Sequence, residues 1–81
     1  MTSEVGARVS RCFLNVFPGL PAEEIPKASV ASLARWDSLA HVTLLMAIEE
    51  EFSLVLSPLD FEELTSYALI VDCVESQAGH G

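Results

Sequence analysis

The sequence predicts an all-α domain, a small four-helix bundle of three longer helices and one short helix with a long first loop. Three observations predict it: apolar residues recur at helical spacing in separate segments, no segment carries a strand signal, and Pro, Gly and Ser gather between the segments. The chain has 81 residues, enough for one domain and near the lower end of what a single core stabilises unaided. No internal repeat is visible. We expect the domain to span residues 1–76 and the polar tail, residues 77–81, to be disordered.

Val5, Val9, Cys12, Phe13 and Val16 recur with the helical period, which predicts an amphipathic first helix from about Ser3 to Phe17, ended by Pro18-Gly19. From Leu20 to Arg35 no period is sustained, and Pro21, Pro26 and Ser29 mark a long loop whose Leu20, Ile25, Val30 and Leu33 should anchor it on the core. An ordered loop of that length is usually functional, and this one leads to Trp36, Asp37 and Ser38. A second helix from about Ser38 to Phe52 has two apolar rows: Leu39, Val42 and Met46 on one side, Leu45, Ile48 and Phe52 on the other. A helix apolar on two sides needs two neighbours, and the sequence leaves two readings of the second: more of the core, or a docking partner. Ser53 to Ser57 reads as a connection with Leu54 and Leu56 turned inward. Pro58 suits the first turn of a short third helix through Leu64, and Thr65 or Ser66 can cap a fourth carrying Leu69, Ile70, Cys73 and Val74.

Twelve acidic against four basic residues give a formal net charge of -8 in a chain that is 51% hydrophobic. That balance argues against nucleic-acid binding, which needs clustered Lys and Arg, and points to basic protein surfaces as partners. The first residues include Glu4, Arg8, Arg11 and Asn15 and so lack a signal peptide's apolar core, and no apolar run suits a bilayer span; a soluble, cytoplasmic chain is expected, with a monomer favoured. Cys12 and Cys73 lie far apart within apolar patterns, and with His41 and His80 they make no zinc spacing.

The most informative stretch is Trp36-Asp37-Ser38-Leu39. Asp37 is a good N-cap, which leaves Ser38 at the first helical position with an exposed hydroxyl. The free N–H groups and positive dipole end of the helix would favour a phosphate esterified to that oxygen. An Asp-Ser pair before an apolar run is also the ordinary chemistry of a helix cap.

Asp37-Ser38-Leu39, continued by the run from Ala40 to Glu49-Glu50-Glu51-Phe52, resembles the second helix of acyl carrier proteins, and the likeness extends in pattern over roughly residues 5–76. The resemblance supplies the bundle topology and implies a free-standing carrier with no catalytic residues. It implies that Ser38 bears 4'-phosphopantetheine, derived from coenzyme A, with Asp37 and Leu39 completing the attachment motif. The thiol of that arm would hold acyl cargo of fatty-acid, polyketide or related small-acyl metabolism as a thioester. The implied partners are a phosphopantetheinyl transferase and acyl-loading and acyl-transferring enzymes with basic docking patches. Val42, Met46, Glu49, Glu50 and Glu62 are the candidate docking residues; His41, Leu45, Phe61 and Ile70 are the candidates for an acyl cavity. Alternatives are an aminoacyl or peptidyl carrier, and an acidic helical adaptor that is never modified.

Other constellations fare less well. Asp37, Ser38 and His41 suggest a triad, but so small a bundle offers no oxyanion donors or substrate pocket to converge with them. The acids Glu49, Glu50, Glu51, Asp60, Glu62 and Glu63 lack the alternation and glycine of a calcium loop and read as a solvated face, which in carriers steers basic partners. Against the better-known fatty-acid carriers, Ala40 and Thr43 stand where acids are common, Trp36 replaces a small residue and should be a packed anchor, and Phe61 replaces a small cavity residue. The bulk of Phe61 and the polarity of His41 lead us to expect a short, polar or aromatic cargo, unless neighbours such as Cys73 repack to leave equal room.

Overall fold

The structure, a computed structural model, describes residues 4–78. Four α-helices follow one another: α1 Glu4–Val16, α2 Ser38–Phe52, α3 Pro58–Glu63 and α4 Tyr67–Ala78. The bundle class expected from the sequence is what is found, and among the described residues there is no strand, only an isolated bridge between Ser29 and Ser66. None of the described helices is long and apolar enough to cross a membrane.

α1 buries Val9, Cys12 and Phe13 on one stripe. Glu4 sits in its first turn, where a negative charge complements the helix dipole. The chain turns out of α1 at Gly19, whose φ of 88° lies in the left-handed region that a side chain would disfavour. Ser3, the expected start of this helix, lies outside the described residues.

The segment after α1 is more ordered than the sequence suggested. Ala22–Lys27 form a 3-10 helix, with Pro26 inside it and Ile25 buried. Pro21 and Pro26 mark a loop in the sequence, but proline's fixed φ also suits a 3-10 turn, with Pro21 at the N-cap and Pro26 costing a single N–H. Leu20 and Leu33 pack against the core as expected, but Val30 is exposed. Backbone bonds pin the loop to the α3–α4 connection: Val30 N–H donates to the Thr65 carbonyl (3.0 Å) and Tyr67 N–H to that of Ala28 (3.0 Å).

Phe13 is the hub of the core. Trp36 meets its ring nearly edge-on at 5.3 Å and Tyr67 at 5.5 Å, while Phe17 lies 6.1 Å away. Such pairs add about 0.5–1.5 kcal/mol beyond area burial. Leu44, Leu45 and Ile48 of α2 and Ile70 and Val74 of α4 are fully buried around this cluster.

α3 is different in kind. It has six residues and none is buried, so it is too short to hold itself together. Ser57 and Asp60 form a reciprocal capping box at its start (3.1 and 3.0 Å), Pro58 takes the first position, and buried Leu56 and Leu64 moor its two ends. α4 begins at a cap from Ser66, whose hydroxyl accepts from Leu69 N–H (3.2 Å). It runs through Gln77 to Ala78, so the first part of the expected disordered tail is helical; residues 79–81 lie outside the described residues.

Candidate functional site

Ser38 is exposed and is the first residue of α2. Asp37 is its N-cap, with extended backbone and a carboxylate oxygen that accepts from Ala40 N–H at 2.9 Å. His41 N–H already bonds the Asp37 carbonyl (2.8 Å), so the N–H groups of Ser38 and Leu39 are the ones left without helical acceptors. Two residues upstream, the side chain of Trp36 is only 3% exposed and wedged against Phe13 and Phe17. The expected anchor is therefore real, and it fixes where α2 begins. An outward hydroxyl, a satisfied cap and free donors make a fitting seat for a phosphodiester.

Ser38 borders an open groove of about 500 Å³ between the first loop, α2 and α3. Trp36 and Val30 contribute from the loop, His41 and Val42 from α2, and Phe61, Glu62 and Thr65 from the third helix and its exit. His41 spans it. Trp36 Nε1–H donates to His41 Nδ1 at 2.9 Å, which requires the imidazole proton to sit on Nε2, where it is donated to the Phe61 carbonyl. Both ring nitrogens are thus engaged away from Ser38, and the Asp37 carboxylate faces its own helix. The three residues that resembled a triad do not converge.

The four candidate cavity residues separate. His41 and Phe61 line the groove, whereas Leu45 and Ile70 are fully buried in the core and do not line it. The resemblance that supplied these candidates does not distinguish a groove wall from the layer of core that supports it.

The docking candidates separate too. The row Leu39, Val42 and Met46 is 78%, 44% and 57% exposed, so it is not core, while Leu45 and Ile48 of the other row are fully buried. Met46 and Glu50 border a second depression of about 380 Å³ against Cys12 and Asn15 of α1. Glu50 and Glu62 are exposed. Glu49 departs from the expected docking role: it is half-buried and its carboxylate accepts from Leu56 N–H at 2.7 Å, tying down the α2–α3 connection. The solvated acidic face was likewise expected to include Glu51, but its carboxylate is paired with Arg8 Nε at 2.7 Å. Arg8 Nη2 also donates to the Glu51 carbonyl (2.6 Å) and its guanidinium lies 4.5 Å from the Phe52 ring centre, a clamp between α1 and α2.

Sequence reasoning missed Val30 and Thr65 as groove residues and the bonds from Trp36 through His41 to Phe61. The five-residue spacing of Trp36 and His41 across a helix start was the available hint.

Residues 14–74 match the protein family described as the phosphopantetheine attachment site, which is most of the chain, and the chain belongs to that family. Its members carry covalently attached 4'-phosphopantetheine, so this is a phosphopantetheine-carrier protein. No solved structure matches the chain.

Proposed function

We propose that this chain is an acyl carrier protein whose Ser38 Oγ is the attachment point of the prosthetic group, and that it takes acyl intermediates between enzymes of fatty-acid, polyketide or related small-acyl metabolism without catalysing a step itself. When bound, the group supplies a thiol on a flexible arm, where cargo is held as a thioester. The residues of the chain do the rest. Trp36 fixes the start of α2, Asp37 caps it, and the first turn presents the Ser38 hydroxyl to a phosphopantetheinyl transferase, with the free N–H groups beside it favouring the phosphate that results. Leu39, Val42 and Met46 form the apolar part of a docking face, and Glu50 and Glu62 supply charge that attracts basic partner surfaces.

The observation that carries this reading is the exposed hydroxyl at the first position of a capped helix within the matched segment. Incubation of the protein with coenzyme A, magnesium and a broad-specificity transferase, followed by intact-mass measurement, tests it. Wild type should gain the phosphopantetheine mass and Ser38→Ala should not; an unmodified wild type would favour the adaptor. Loading of the modified protein by an amino-acid-adenylating enzyme, in preference to an acyl-transferring one, would move it to the aminoacyl or peptidyl carriers.

A further inference from the structure

Trp36, His41 and Phe61 form a continuous relay across the mouth of the α2–α3 interface: indole N–H to Nδ1, then Nε2–H to a backbone carbonyl. Its first member is immobile, being 3% exposed and packed on two phenylalanines. Its last member belongs to the one helix of the bundle that buries none of its own residues. Between the moorings of its two ends, α3 is held by the packing of half-buried Phe61 against the core and by this bond to α2. The relay also forms one wall of the groove that Ser38 borders, within reach of an arm attached there.

We propose that this relay is a latch between α2 and α3, and that His41, through it, is a specificity-determining residue for the length of the cargo. The proposal rests on Ser38 being the tether. A short acyl group stays in the outer groove, against Val42 and the ring of Phe61, because it has too few methylenes for burial to repay the loss of two hydrogen bonds. A long chain gains with every methylene withdrawn from water, so beyond a threshold it breaks the latch and passes between α2 and α3. Without the latch, the threshold falls.

The test loads the whole protein with acetyl, butyryl, octanoyl or dodecanoyl pantetheine, using the matching acyl-coenzyme A and a broad-specificity transferase, and measures the melting temperature of each product. Trp36→Phe removes the N–H and keeps the aromatic packing; His41→Phe removes both bonds and keeps a ring of similar size. Acetyl and butyryl groups should leave the wild-type melting temperature unchanged, with stabilisation beginning only at longer chains, whereas in both variants it should begin at butyryl. Identical chain-length dependence in wild type and variants would overturn the proposal. Should a variant not fold, the wild type alone remains informative through the NMR signals of the Trp36 indole N–H and the His41 ring nitrogens. They should be the same in the unacylated, acetyl and butyryl forms, and displacement by acetyl would overturn the latch. Intact mass separates the two hypotheses, because absence of any added mass refutes the tether, while added mass without length dependence refutes the latch alone.

Discussion

Replacing Asp37 isolates what holds the Ser38 turn in place. Its carboxylate accepts one hydrogen bond, from Ala40 N–H at 2.9 Å, in an exposed position. Ala in place of a capping Asp costs about 1 kcal/mol, while Asn caps nearly as well. Either substitution also removes a negative charge from the helix N-terminus, a loss of about 0.3–1 kcal/mol. Both reduce the self-repulsion of a chain whose net charge is -8 to the same small extent, so the charge effects cancel in the comparison of the two variants. In a domain of this size about 1 kcal/mol corresponds to a shift of about 4–8 °C in Tm. Asp37→Asn should therefore lower Tm by about 1–8 °C, and Asp37→Ala by about 4–8 °C more than that. Thermal unfolding followed by circular dichroism measures both, and hydrogen exchange at Ala40 N–H locates the effect: protection should fall in the Ala variant and survive in the Asn variant. Equal Tm values for the two would refute the capping argument and leave the carboxylate with a purely electrostatic role.

Two further outcomes follow from groups away from the groove. The Arg8 guanidinium, by hydrogen bonding and charge, holds the Glu51 carboxyl below the usual carboxylate range. A depressed folded-state value means that the pair's contribution is complete above the unfolded carboxyl's pKa, about 4.3, and is lost as pH falls through the lower folded value. The difference in urea midpoint between wild type and Glu51→Gln should thus be constant near neutrality and close on acidification; a gap that widened there would contradict the pairing. Burial, with a lesser push from Glu51, raises the Cys12 thiol above its ordinary pKa against the smaller opposing pulls of Arg11 and Arg8. Iodoacetamide should accordingly modify half-buried Cys73 well before Cys12 in the native protein, and both in urea, as peptide masses will report.

The parts of this molecule that were legible in the sequence are those governed by neighbours along the chain. The α2 start at Ser38 follows from Asp37, and the α3 start from Ser57 and Pro58. The end of α2 still held a surprise, since Ser53 and not a glycine takes the left-handed C-cap, with φ 52°. Trp36 was legible as an anchor because a large aromatic next to an exposed functional position is best used for packing. What could not be read depended on residues far apart in sequence. The bridge between Ser29 and Ser66 turns Val30 outward, and nothing local to Val30 encodes it. Glu49 and Glu51 looked interchangeable with Glu50 in a run of three acids, yet the helical rotation sends their carboxylates to Leu56 N–H and to Arg8 and leaves Glu50 in solvent. The resemblance puts His41 at the cavity mouth, but its tautomer is set by Trp36 on one side and Phe61 on the other, which only the assembled bundle brings together.

The two apolar rows of α2 explain why this chain needs so much acid. A bundle that leaves Leu39, Val42 and Met46 exposed on one helix presents an adhesive strip to every other protein and to its own copies. Clustered negative charge counters this by repulsion between copies, and that repulsion reaches farther than apolar contact does. The same field attracts any surface that is basic. If this face docks partners as proposed, the labour is divided: charge selects which surfaces approach and how fast, and the apolar row sets how long they stay, since rim charges act chiefly on association and buried apolar contacts on dissociation. A carrier must release each enzyme in turn, which favours a narrow apolar row over a broad one. Three side chains along one edge of α2, with Ala40 and Thr43 between them in place of charges, meet that requirement while leaving Ser38 accessible at the end of the row.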